Sequence, residues 1–133
     1  MPVSTPTERK TVVYIEDNVS NLEMVKRVLD STGRYEVLGA TDGESGLELV
    51  ARVRPRLVLV DLDVPSVNGF EVIRQIKSSP DPAIAAIPIA VVTANVITKE
   101  RDQAMRAGCE AFIEKPFDIH SFRKQIDQLV GGS

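Results

Sequence analysis

Three short runs in this chain are apolar on successive residues rather than on alternate ones: 11–15, 57–60 and 89–92. A strand that faces water on one side alternates apolar and polar side chains. One that is covered on both sides has no reason to alternate. These runs therefore predict strands of a parallel sheet with helices packed on both faces. Two more β-type runs, at 35–40 and 111–113, bring the set to five.

Helical spacing fills the gaps between them. Leu22, Val25, Val28 and Leu29 form one stripe, Leu47, Val50 and Ala51 a second, and Phe70, Ile73 and Ile76 a third. Ile119, Phe122, Ile126 and Leu129 form the clearest one. Asp42 and Asp118 are candidate N-caps, and Gly33 and Gly108 stand where helix C-caps belong. The fourth helix, about residues 98–107, has only Ala104, Met105 and Ala107 as apolar members, which predicts weak anchoring to the sheet. Segment 80–82 reads as a stiff loop. β and α thus alternate five times, and right-handed crossovers make this a doubly wound α/β sandwich of three layers. The domain spans 10–130, with tails at 1–9 and 131–133.

Composition narrows the function. Sixteen basic against nineteen acidic residues leave a net charge of −3, without the basic footprint of nucleic-acid binding. Aromatic residues are 5% of the chain and Trp is absent, which also argues against a base-stacking platform. One cysteine, Cys109, and one histidine, His120, exclude a disulfide framework and Cys/His metal sites. No apolar run approaches the roughly 20 residues of a membrane span. Residues 1–10 lack the apolar core of a secretory signal, so the expected location is cytoplasmic.

In a doubly wound sheet the site lies at the carboxyl ends of the strands. The first strand ends in Glu16-Asp17, the third in Asp61, the fourth in Thr93-Ala94 and the fifth in Glu114-Lys115-Pro116. If the first and third strands are neighbours, three carboxylates meet at one edge. That crowding needs compensation, from a bound cation and from Lys115. A hard divalent ion with oxygen ligands fits, and few carboxylates point to Mg²⁺ with a phosphate as further ligand. Such a pocket suits a phosphoryl group. An aspartate can be the nucleophile, a lysine can neutralise transferring charge, and a threonine hydroxyl can hydrogen-bond a phosphoryl oxygen. Each residue alone has an ordinary explanation. It is the conjunction at four strand ends that points to a site.

At these residues the chain resembles a response-regulator receiver domain of two-component signalling. The matching segments are Val-Val-Tyr-Ile-Glu16-Asp17-Asn18, then Leu-Val-Leu-Val-Asp61 through Pro65 to Gly69, then Val-Val-Thr93-Ala94, and Phe112-Ile-Glu-Lys115-Pro116-Phe117. The spacing Asp-x₃-Pro-x₃-Gly with the Lys-Pro pair is specific, and the resemblance covers about residues 10–130. It implies a flavodoxin-like sheet of order 2-1-3-4-5. It implies that Asp61 accepts a phosphoryl group from a sensor histidine kinase or a histidine phosphotransfer protein. Asp17 is then the direct Mg²⁺ ligand, Glu16 its acidic neighbour acting largely through water, and the Asp63 backbone carbonyl a third ligand. Thr93 and Phe112 are the switch residues, and Lys115 pairs with the phosphoryl group.

The resemblance further implies a signalling domain rather than an enzyme with turnover. It would catalyse its own phosphorylation and slow dephosphorylation, and switch a protein-binding surface on the fourth helix, fifth strand and fifth helix. A downstream protein target and phosphorylation-dependent dimerisation follow from the same source, without contact to nucleic acid or membrane. With no output domain expected on this chain, the domain either works alone, the favoured expectation, or belongs to a larger protein such as a hybrid kinase. Val64 departs from the Met that many receivers carry. Asp63 and Asn95 stand at positions that tune phosphoryl lifetime, and the bond before Pro116 is often cis in the family.

Three other readings compete. Asp61-Leu-Asp63-Val64 fits the pattern of haloacid-dehalogenase-type phosphatases, but there the nucleophile lies near the N-terminus and the other acids follow it. An FMN carrier of the same fold needs a Ser/Thr/Gly-rich phosphate loop after the first strand, where this chain has two acids. A pseudo-receiver would lack some of the site residues, and all of them are present.

Overall fold

The five strands form one all-parallel sheet in the order β2-β1-β3-β4-β5. They are β1 (Lys10–Ile15), β2 (Tyr35–Ala40), β3 (Leu57–Val60), β4 (Ile89–Thr93) and β5 (Ala111–Glu114). The helices are α1 (Val19–Asp30), α2 (Gly43–Val53), α3 (Gly69–Lys77), α4 (Pro82–Ala85), α5 (Thr98–Ala107) and α6 (Ile119–Gly131). This computed structural model describes residues 9–94, 98–115 and 118–131. Residues 1–8 of the tail read at 1–9, residues 95–97 with Asn95 among them, Pro116, Phe117 and residues 132–133 lie outside the described residues.

The continuous apolar runs are explained by the sheet's two covered faces. Val13, Ile15, Val58, Val60, Ile89 and Val91 belong to one core layer, which includes Val50, Val72, Ile73, Ile76 and Ala104 from α2, α3 and α5. Val12, Tyr14, Leu57, Leu59, Ala90 and Val92 belong to the other, with Leu22, Val25 and Leu29 of α1 and Phe122, Ile126 and Val130 of α6. Neighbouring residues on one strand point to opposite layers, so both must be apolar. β2 lies at the edge of the sheet, and its burial alternates instead.

Short polar residues start the helices. Asn18 accepts from the Asn21 amide at 3.0 Å, Asp42 from Ser45 at 2.8 Å, Asn68 from Glu71 at 3.1 Å and Asp118 from Ser121 at 2.9 Å. Each bond satisfies an amide that the first helical turn leaves without a partner. Gly108 (φ 114°), directly after α5, takes the left-handed geometry expected there; Gly33 (φ 75°) is left-handed too, but the cap of α1 is Ser31, two residues earlier.

Four expectations are corrected. Segment 80–82 is no plain loop: Asp81 caps the single turn α4, accepting from the Ala83 amide at 2.9 Å, and Pro82 opens that turn with a φ already suited to a helix. The fourth helix of the sequence reading is therefore α5 here. Ile119 does not pack with its stripe. It sits at the first position of α6 and is 44% exposed, while Phe122 is fully buried. On α5, Met105 is 47% exposed, which leaves Ala104 as its one fully buried apolar residue. α6 also runs through Gly131, one residue into the tail read at 131–133.

Candidate functional site

The pairing of β1 with β3 sets Ile15 against Val60, so Glu16 and Asp61 leave the sheet side by side. The ladder continues past the strands: Glu16 donates its amide to the Ala40 carbonyl at 2.9 Å, and Asp61 to the Ile15 carbonyl at 3.0 Å. On the next two strands, Thr93 of β4 lies opposite Glu114 of β5, and the Lys115 amide donates to the Thr93 carbonyl at 2.9 Å. Backbone register alone thus brings residues from four distant stretches of sequence to one edge. The non-aromatic polar residues that are buried among the described residues are Glu16, Asp61 and Thr93, all at this edge.

Two glycines let the surrounding loop close. A Cβ on Gly69 would lie 2.6 Å from the Leu62 Cα and 2.8 Å from the Asp61 carbonyl oxygen. One on Gly43 would lie 1.7 Å from the Val67 carbonyl oxygen. Neither backbone contact could yield cheaply, so the start of α3 and the start of α2 both need a residue without a side chain.

The Lys115 ammonium donates to Asp61 Oδ2 at 2.9 Å and to Glu16 Oε1. Asp61 Oδ1 accepts from the Asp63 amide at 2.9 Å. Glu16 Oε1 also accepts from the Tyr14 hydroxyl at 2.9 Å, and Oε2 accepts from the Asn18 amide at 3.2 Å. Two nearly buried carboxylates therefore share one ammonium. Burial pushes the Lys115 ammonium towards its neutral form, but its hydrogen bonds to Glu16 and Asp61 outweigh that and raise its pKa. Burial also drives the Tyr14 phenol well above its ordinary range, and the Glu16 charge beside it adds to the effect.

Of the residues singled out in the sequence, the structure joins Glu16, Asp61 and Lys115 directly and stands Thr93 beside them in the backbone ladder. Asp17 and Asp63 are exposed at the rim. Among the described residues no three Asp, Glu, His or Cys side chains gather closely enough to hold an ion by themselves. Glu16 and Asp61 meet around the Lys115 ammonium, and Asp17 follows Glu16 at the same edge with its side chain exposed. Phe112 is half-buried on β5, with the Arg101 guanidinium of α5 5.7 Å from its ring centroid. The sequence reading missed Tyr14 as a site residue. Its signal was the two-residue spacing from Glu16, which puts both on one face of a strand.

A doubly wound sheet carries its site at the carboxyl ends of its strands, and here those ends hold two buried acids and a lysine. The profile of the response regulator receiver domain matches residues 12–127 of this chain. The polar-differentiation response regulator DivK of Brucella anthropi is 32% identical over 122 residues, covering 92% of this chain and 97% of that protein. Among solved structures, the receiver domain of a Pseudomonas aeruginosa sensor histidine kinase, crystallised with magnesium in its active-site cleft, superposes with a TM-score of 0.83. It is 25% identical and covers 92% of this chain and 98% of its own. The phosphorylated cyanobacterial phytochrome response regulator RcpA gives a TM-score of 0.80 at 25% identity, covering 94% and 96%. The chain belongs to the response-regulator receiver family.

Proposed function

We propose that this chain accepts a phosphoryl group on Asp61 from the histidine of a sensor kinase or phosphotransfer protein. An Asp61 carboxylate oxygen attacks phosphorus, the bond from phosphorus to the donor nitrogen breaks, and its electron pair stays with the imidazole. An acyl phosphate forms on Asp61. The observation that carries this reading is the Lys115 ammonium, 2.9 Å from Asp61 Oδ2 and shared with Glu16. It is a fixed cation beside the nucleophile, in a pocket with more negative charge than it balances. Lys115 pairs with one phosphoryl oxygen, and Thr93 donates its hydroxyl to another.

The donors here fit a hard divalent cation: the Asp17 and Asp61 carboxylates and the Asp63 carbonyl, with Glu16 reached through water. They would hold Mg²⁺, which when bound supplies positive charge against the transferring phosphoryl group. Removal of magnesium by a chelator is then expected to stop labelling.

The signal leaves through the surface of α5, β5 and α6. Thr93 moves towards the phosphoryl group, and Phe112 turns inward into the space vacated under α5. The thin anchoring of α5 through Ala104 supports this, as does the half-buried state of Phe112. A downstream protein, or a second phosphorylated copy, reads that surface. The net charge of −3 speaks against a nucleic-acid target. No helix of the described residues is long and apolar enough to cross a membrane.

The test is incubation with acetyl phosphate and Mg²⁺, followed by intact-mass measurement. The parent gains one phosphoryl group and releases acetate, and Asp61→Asn gains none. Equal labelling of Asp61→Asn would refute the assignment. Sustained turnover of phosphate monoesters would instead favour a phosphatase.

A further inference from the structure

Tyr14 is a whole aromatic residue with a hydroxyl, fully buried in the core layer formed with Leu59, Val92, Ile113 and Phe122. Its hydroxyl donates to Glu16 Oε1 at 2.9 Å, the same oxygen that accepts from Lys115. The other Glu16 oxygen is taken by the Asn18 amide. Glu16 is 1% exposed, so water is a poor substitute for any of these donors. A buried carboxylate that loses its partners is strongly penalised. If Lys115, already bonded to Asp61, is to give up Glu16 for a new anion there, something else must keep Glu16 satisfied.

We propose that Tyr14 is a positioning residue that holds Glu16 by its hydroxyl, so that Lys115 can leave Glu16 and pair with a phosphoryl group on Asp61. This rests on the phosphoacceptor reading and deepens it. The phenol touches neither phosphorus nor the nucleophile. It acts through Glu16, by standing in for the ammonium on the same oxygen. With phenylalanine at this position, the apolar ring would remain and the layer would stay filled. Lys115 would then be the sole donor to Glu16 Oε1, and letting go of it would leave that buried oxygen without a partner.

The experiment follows the initial rate of phosphorylation by acetyl phosphate with Mg²⁺ in the full chain. Tyr14→Phe is expected to be about tenfold slower than the parent, the scale of one hydrogen bond to a charged group. Glu16→Gln is expected to be slower too, and the double variant no slower than Glu16→Gln alone, because Tyr14 acts only through Glu16. A purely structural tyrosine would instead give losses that multiply, and that result, or a parent-like rate for Tyr14→Phe, overturns the proposal. Asp61→Asn runs alongside: if it is labelled, the phosphoacceptor reading itself falls, whatever Tyr14→Phe does.

A second measurement avoids changing Tyr14 at all. The chain has two tyrosines and no tryptophan, so Tyr35→Phe leaves Tyr14 as the only emitter. Beryllium fluoride with Mg²⁺, a phosphoryl mimic, is expected to change Tyr14 emission as Lys115 leaves the shared oxygen. The change should vanish in Tyr35→Phe/Asp61→Asn. Emission indifferent to the mimic in Tyr35→Phe also overturns the proposal.

Discussion

Lys77 and Lys115 are both largely shielded ammonium groups clamped to acids from far along the chain, yet their charge balance differs. Lys77, the last residue of α3, donates to the Ile87 carbonyl at 2.9 Å and to Glu110 Oε2 at 2.7 Å. The other Glu110 oxygen accepts from the Ile89 amide at 2.7 Å. One cation meets one anion, and backbone groups take the remaining bonds. The result is a clip that ties α3 to the starts of β4 and β5. Lys115 meets two carboxylates instead, each more deeply buried than Glu110. A balanced pair is most stable closed. An unbalanced buried one favours the arrival of another cation. The difference teaches that an ion pair by itself says little about function, whereas a buried excess of one sign of charge says a good deal.

The largest expected effect separates the two lysines directly. Lys115→Ala should slow phosphorylation by about 100-fold or more, roughly 3 kcal/mol on a scale where 1.36 kcal/mol is tenfold. Lys77→Ala should leave that rate within about twofold and cost about 1–3 kcal/mol of unfolding free energy in urea. Equal losses of phosphorylation in the two variants would erase the distinction.

Alkaline unfolding gives the next contrast. The Lys115 pKa is raised on folding, so its contribution to stability is complete below the unfolded value of about 10.5 and is lost as pH rises through the folded one. Burial raises Tyr14 and Tyr35 above their ordinary 10.0, so unfolding is favoured above that pH, where the unfolded phenols ionise. Stability should be insensitive to these groups near neutrality and fall above about pH 10, followed by tyrosinate absorbance. The fall should be shallower in Lys115→Ala than in Lys77→Ala.

The smallest effect is local. Cys109 is buried beside the Lys77 clip, and burial, with Glu110 adding to it, pushes its thiol pKa up. The native thiol should react slowly with a disulfide reagent. Lys77→Ala should speed that reaction by loosening the clip, and Lys115→Ala should not.

The clip was invisible in the sequence for a simple reason. Lys77 and Glu110 are 33 residues apart and carry no motif, and their meeting depends on how α3 packs against the sheet. Glu16, Asp61, Thr93 and Lys115 were legible because each directly follows or ends an apolar strand run. Parallel strands send all of them to the same edge of the sheet, and the strand order that makes β1 and β3 neighbours came from the family resemblance. Ile119 was misread because helical periodicity gives a stripe but not where along the helix the neighbouring layer ends. The single turn α4 escaped because four residues are too few to show a period.

Local sequence determined the elements themselves. Runs apolar on every residue require strands covered on both faces, and Asn and Asp caps start helices wherever the chain goes. Those signals act over a few residues and survive in any context. Which oxygen of Glu16 meets Lys115, that Tyr14 shares it, and that Asp17 stays at the rim were decided only by the tertiary structure. Hydrogen bonds and charge balance depend on distances of a fraction of an ångström between residues as many as 99 positions apart, which only the packed sheet sets.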